Sequence, residues 1–205
     1  MNYIDLHCDT LMQAFIRQEK DIYALTDAMI DLQRLEKSSA MGQFFAVFLP
    51  PKGAEKLIGR ELPADDEYID ILISILKNSI NAHPQIIGQA HNAKDLEENR
   101  KAGRISAFLT IEDGRSVEGK LEKLEDYYQK GIRLISLTWN APNCFGFPNS
   151  ADEAVRNKGL TAFGKEAVDY MDELGILTDV SHLSDGGFYD VADICRGPFI
   201  ASHSN

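Results

Sequence analysis

Short apolar runs alternate along this chain with longer stretches of helical periodicity. Runs of strand character lie at residues 3–7, 44–49, 86–90, 105–111, 132–138, 176–181 and 198–202, the second closed by Pro50-Pro51. Between them Ile69, Leu72, Ile73 and Leu76 recur at the 3.6-residue spacing of an amphipathic helix, and a polar helix is expected near 120–129. The best-defined helix is 161–174. Thr161 can cap it, Phe163, Ala167, Met171 and Leu174 line one face, and Gly175 stands where a left-handed residue is wanted.

Strand–helix alternation of this kind predicts an α/β fold with a parallel sheet and right-handed crossovers. Seven such runs fit a TIM-type (β/α)8 barrel that is incomplete, lacking its last strand. They fit an open doubly wound sheet equally well. No linker, low-complexity segment or GxGxxG fingerprint divides the chain, and Gly186-Gly187 is only a turn signal, so residues 1–205 are expected to form a single domain.

Composition narrows the setting. A chain of 205 residues can bury a core, and 44% hydrophobic with 26% charged residues is ordinary for a globular protein. The net charge of −11 argues against nucleic acid and anionic membrane surfaces, both of which call for a basic face. Solubility explains that acidity more simply than cation capture does. Cys8, Cys144 and Cys195 form neither a CxxC pair nor a disulfide framework, which favours a reducing compartment. The N-terminus lacks the pattern of a signal peptide. With no apolar run near the ~18 residues of a membrane span, a cytoplasmic protein is expected.

Residues of ligand type fall at the C-terminal ends of the predicted strands, where barrel enzymes place their catalytic groups. Residues two apart on a strand share a side, so His7 and Asp9 project together and Cys8 points away. An imidazole beside a carboxylate makes a corner for a divalent metal, although an HxD pair alone is more often a capping or solvent-facing pair. Thr110-Ile111-Glu112-Asp113-Gly114 reads equally as a polar turn or as a strand that aims Glu112 into a barrel mouth. A carboxylate there can bridge two metals roughly 3.5–4 Å apart.

His182 and His203 each follow a serine at the ends of the sixth and seventh runs. One such histidine is usually structural. Two on neighbouring strands, about 4.8 Å apart, can share an ion. His83 and His91 fall in loop patterns and are read as surface or structural residues. The set His7, Asp9, Glu112, His182 and His203, nitrogen and oxygen without thiolate, suits zinc, with manganese or cobalt as substitutes. A bridged pair of ions lowers the pKa of a shared water to give hydroxide near neutral pH, a nucleophile for amide or ester carbonyls.

The blocks Asp5-Leu6-His7-Cys8-Asp9-Thr10, Thr110-Ile111-Glu112-Asp113-Gly114, Leu137-Thr138-Trp139-Asn140, 159–164, 174–182 and 198–204 resemble, in order and over essentially the whole chain, the membrane (renal) dipeptidase family of zinc metallopeptidases. The resemblance implies a TIM-type barrel and a dinuclear zinc site that hydrolyses dipeptides. His7 and Asp9 would hold one zinc, His182 and His203 the other, with Glu112 bridging as the catalytic carboxylate and Trp139 and Asn140 contacting substrate. Mammalian members carry a histidine where Trp139 stands; bacterial relatives often carry the tryptophan.

The sequence stops at Asn205. By the family pattern an arginine for the substrate carboxylate and an Asp-rich strand would follow, so the chain is expected to be truncated and impaired as a peptidase. Open sheet edges would then favour pairing with another chain, a second copy included. Other expectations remain open: a different metal-dependent amidohydrolase of the same barrel type, a non-catalytic metal-binding remnant, or a subunit completed by a partner.

Overall fold

The computed structural model describes residues 2–203, and the chain forms two compact units, 1–109 and 110–205. The first unit contains β1 (Tyr3–Cys8), α1 (Thr10–Ile16), α2 (Leu32–Lys37), β2 (Ala40–Phe48), α3 (Glu55–Ile58), α4 (Asp65–Ala82), β3 (Ile87–Gln89), α5 (Ala93–Lys101) and the start of β4 (Ile105–Glu112), which runs on into the second. The second continues with a 3₁₀ turn (Gly114–Val117), α6 (Leu121–Lys130), β5 (Ile132–Ser136), α7 (Glu153–Arg156), α8 (Ala162–Leu174), β6 (Leu177–Asp179) and α9 (Asp185–Ile194).

The fold is α/β with parallel strands. In the first unit the hydrogen-bonding order is β1-β2-β4, with β3 also pairing β4. Cys8 lies opposite Phe45, and Ile87 opposite Ile105. In the second it runs β4-β5-β6, and Ser136 pairs with Asp179. Parallel strands covered on both faces carry near-continuous apolar sequence. β4 follows this rule, since every residue of it is buried.

Helices form where the periodicity places them. α4 buries Tyr68, Ile69, Leu72, Ile73, Ile75 and Leu76 along one stripe, and Asp65, Asp66 and Glu67 in its first turn complement the helix dipole. Phe15 of α1 meets Tyr68 edge to face with centroids 5.0 Å apart. At the start of α8 the Thr161 side chain accepts from the Gly164 amide, and at its end Gly175 takes φ 82°.

The seventh strand-like run is reduced to a single parallel rung. Ile200 bridges Asp179, with Val180 N donating to Ile200 O at 2.8 Å and Ile200 N to Thr178 O at 3.0 Å. The ladder stops on both sides for chemical reasons. Pro198 has no N–H to give, and the Ser202 amide donates to the Asp179 side chain at 3.0 Å instead of to a neighbouring strand. Among the described residues no helix is long and apolar enough to cross a membrane.

Candidate metal centre

In the first unit the end of β1 presents the alternation expected of it. Cys8 is buried while His7 and Asp9 are half-buried, and His7 Nε2 lies 3.7 Å from Asp9 Oδ1. Asp9 occupies the N-cap position of α1, yet its side chain caps nothing. Its Oδ1 is buried without a hydrogen-bond partner. A buried acceptor left unsatisfied costs roughly 1–3 kcal/mol. A cavity of about 400 Å³ adjoins the pair, lined by His7, Asp9, Gln13, Asp27, Met29 and Ile30.

Cys8, on the opposite side of the strand, is inert by the same geometry. Burial pushes its thiol up to about 12, against hydrogen bonds with Thr10 that lower it. Because the thiolate is the reactive form, Cys8 should resist iodoacetamide at pH 8 in the folded protein and react only after unfolding. Peptide mapping by mass spectrometry checks this, and rapid labelling of native Cys8 would contradict it.

In the second unit Glu112, His182 and His203 meet. Glu112 ends β4 and is only 4% exposed. Its Oε1 is 3.0 Å from His182 Nε2 and 3.4 Å from His203 Nε2, and the two ring nitrogens are 2.5 Å apart. Three lone-pair atoms crowded this closely repel one another unless a proton or a cation sits among them.

The backbone on either side of these ligands is held in unusual conformations. His182 has φ 66° and Asp113, next to Glu112, has φ 74°; for non-glycine residues each costs of order 1–3 kcal/mol. Surrounding bonds compensate. The His182 carbonyl accepts from Asn149 N at 2.7 Å and from Thr138 Oγ1 at 3.3 Å. Asp113 Oδ1 accepts from Asn143 Nδ2 at 2.9 Å, and the same Nδ2 donates to Leu137 O at 2.8 Å. The turn after β4 is thereby tied to the loop after β5, and Glu112 is aimed by it.

Trp139 and Asn140 follow β5, the first half-buried and the second exposed. His83 and His91 have structural partners of their own. His83 Nε2 sits 2.7 Å from Asp21 Oδ2 and its ring stacks on Tyr23, while His91 pairs with Asp95 at 3.4 Å.

Sequence reasoning passed over Asp179, fully buried at the end of β6. Its Oδ2 accepts from the hydroxyls of Ser136 and Ser202, and its Oδ1 from the amides of Ser181 and Ser202, both at 3.0 Å. Burial alone would push this carboxyl up, but the four donors outweigh it and hold the group below its ordinary value. An acid placed two residues before a Ser-His pair at a strand end was the available signal.

The donor set fits a divalent metal. Imidazole nitrogens and carboxylate oxygens without thiolate are the ligands zinc accepts in hydrolytic sites, and the orphaned Asp9 Oδ1 is an acceptor that only a cation or an added donor satisfies.

Comparison with known proteins agrees. The sequence profile described as "Membrane dipeptidase (Peptidase family M19)" matches residues 1–205. Among curated proteins, an uncharacterized protein in the PQQ-III 3′ region of Acinetobacter calcoaceticus is 26% identical, over 98% of this chain and 70% of its own length. An uncharacterized dipeptidase of Schizosaccharomyces pombe is 36% identical over 52% of this chain and 26% of its own. Among solved structures, a dipeptidase described as a metallopeptidase of family M19 superposes with TM-score 0.83 at 25% identity, over all of this chain and 63% of that one. A Rhodobacter sphaeroides metallopeptidase liganded with a phosphinate mimic of the dipeptide L-Ala-D-Ala gives TM-score 0.81 at 24% identity, over 100% and 65%. This chain therefore spans less than two thirds of either structure. The strands match those of a partial TIM-type barrel. The profile match runs the length of the sequence, and on it the chain belongs to the membrane dipeptidase family, peptidase family M19.

Proposed function

We propose that this chain supplies the metal centre of a dinuclear zinc dipeptidase that hydrolyses the peptide bond of a dipeptide in the cytoplasm. His7 and Asp9 hold one ion, His182 and His203 the other, and Glu112 bridges them. The observation that carries the reading is the convergence of His182 Nε2, His203 Nε2 and Glu112 Oε1 within 2.5–3.4 Å. Family membership across the whole chain supports it, and three free cysteines fit a reducing compartment.

When bound, the ions supply an activated water and a Lewis acid for the carbonyl oxygen. The protein's own part is positioning. The buried Glu112 offers two oxygens to two sites, and the strained turns beside it and at His182 fix the approach of the ligands. After β5 the half-buried Trp139 offers an apolar face, and the exposed Asn140 an amide, to the substrate.

Metal analysis with a panel of dipeptides tests the proposal. The expected result is about two zinc ions per chain and weak, impaired hydrolysis that chelation abolishes and zinc restores. Zinc-loaded protein that leaves every dipeptide intact while cleaving another amide moves the reading to an amidohydrolase of the same barrel type. Protein that binds no zinc ends it.

A further inference from the structure

Behind His203 lies a chain of hydrogen bonds whose direction is set from its buried end, Asp179. Ser202 Oγ is 2.6 Å from Asp179 Oδ2 and 2.7 Å from His203 Nδ1. An ionised carboxylate only accepts, and Asp179 receives four donors while fully buried. The single hydroxyl hydrogen of Ser202 is therefore spent on Asp179. Toward His203 the hydroxyl has only lone pairs left, so Nδ1 must carry the hydrogen. Ser181 closes the arrangement, its Oγ accepting from the His203 amide at 3.2 Å and lying 3.4 Å from Ser202 Oγ.

We propose that Asp179, acting through Ser202, fixes the tautomer of His203 with the proton on Nδ1, so that the Nε2 lone pair is presented beside Glu112 and His182. Asp179 and Ser202 are positioning residues, since neither touches the reacting atoms. The hydrogen bond on one ring nitrogen sets what the other can do. In metal sites such partners orient the ligand and raise its basicity. The low-lying ionisation of Asp179 agrees, because it keeps this end of the chain an acceptor. The functional consequence rests on the reading of His203 as a zinc ligand; the tautomer itself does not.

The test uses two measurements. Nitrogen-15 NMR of the histidines in metal-free protein, at a pH where the rings are neutral, should show His203 protonated on Nδ1. Ser202→Ala should lose that preference and Ser202→Thr, which keeps the hydroxyl, should retain it. Competition against a chromophoric chelator should show zinc held about 10- to 100-fold more weakly in Ser202→Ala and Asp179→Asn, and near the native affinity in Ser202→Thr. Ser136→Ala removes a bond to Asp179 without touching the Ser202–His203 contact and should cost less than either.

Native zinc affinity and an unchanged tautomer in Ser202→Ala would overturn the proposal. So would equal losses in the alanine and threonine variants, which a merely structural role predicts. If Asp179→Asn fails to fold, the two Ser202 variants decide. A wild-type protein that shows the Nδ1 proton but binds no zinc would sink the metal-centre reading and leave the tautomer standing.

Discussion

Replacing Glu112 by glutamine is expected to bring bound zinc below two ions per chain, and to lower the weak dipeptide hydrolysis of the zinc-supplied protein by a further factor on the order of 10³. Glutamine has the same shape, so the buried end of β4 stays filled. Its charge and one acceptor oxygen are gone. In their place an amide NH₂ faces the two ring nitrogens that now lie 3.0 and 3.4 Å from Oε1. A cation bridged by a neutral group loses several kcal/mol of charge stabilisation, and about 1.4 kcal/mol is a factor of ten. Circular dichroism should stay native, which separates lost chemistry from lost fold. Full activity with two ions retained would show that Glu112 is an ordinary turn acid.

Gly164→Ala should lower the melting temperature by several degrees, up to about 10 °C. Helix propensity predicts the opposite sign, since alanine is favoured over glycine inside a helix by about 1 kcal/mol. Packing outweighs it. A Cβ at Gly164 would stand 2.0 Å from Phe145 O and 2.8 Å from Phe145 C, which are backbone atoms rather than a flexible side-chain tip. The strand of chain it strikes cannot easily retreat. Phe145 O accepts from Thr161 N at 2.9 Å, Thr161 Oγ1 donates to Cys144 O, and the Phe145 ring fills the space over Gly114.

Overpacking a closed site costs about 1–3 kcal/mol, occasionally more, and a chain of this size loses about 2–4 °C per kcal/mol. Thermal unfolding followed by circular dichroism measures the shift. A melting temperature equal to or above that of the parent protein would mean that the 143–146 loop yields.

Whatever depended on neighbours along the chain could be read without coordinates. The caps of α8 at Thr161 and Gly175 follow from residue type and spacing, as does the buried stripe of α4, because i, i+3 and i+4 positions share a helix face in any fold. The side-by-side placement of His7 and Asp9, with Cys8 turned inward, needs only the two-residue period of a strand. The pairing of His182 with His203 was legible for a related reason, since consecutive strands of a parallel sheet are commonly neighbours. Family resemblance added the assignment of roles, which spacing alone left balanced against capping and turn readings.

Tertiary structure decided what depends on partners far away in sequence. β2 starts at Ala40, earlier than its apolar run, because β1 lies alongside to pair with it, Tyr3 opposite Ala40. The run at 198–202 shrinks to one rung because the Asp179 side chain, 23 residues upstream, captures the Ser202 amide. The left-handed turns at Asp113 and His182 persist because Asn143, Asn149 and Thr138 hold them. Sequence determined which side chains stand at strand ends. Only the folded chain settled their partners and their aim, because hydrogen-bond partners converge by packing and carry no local signature.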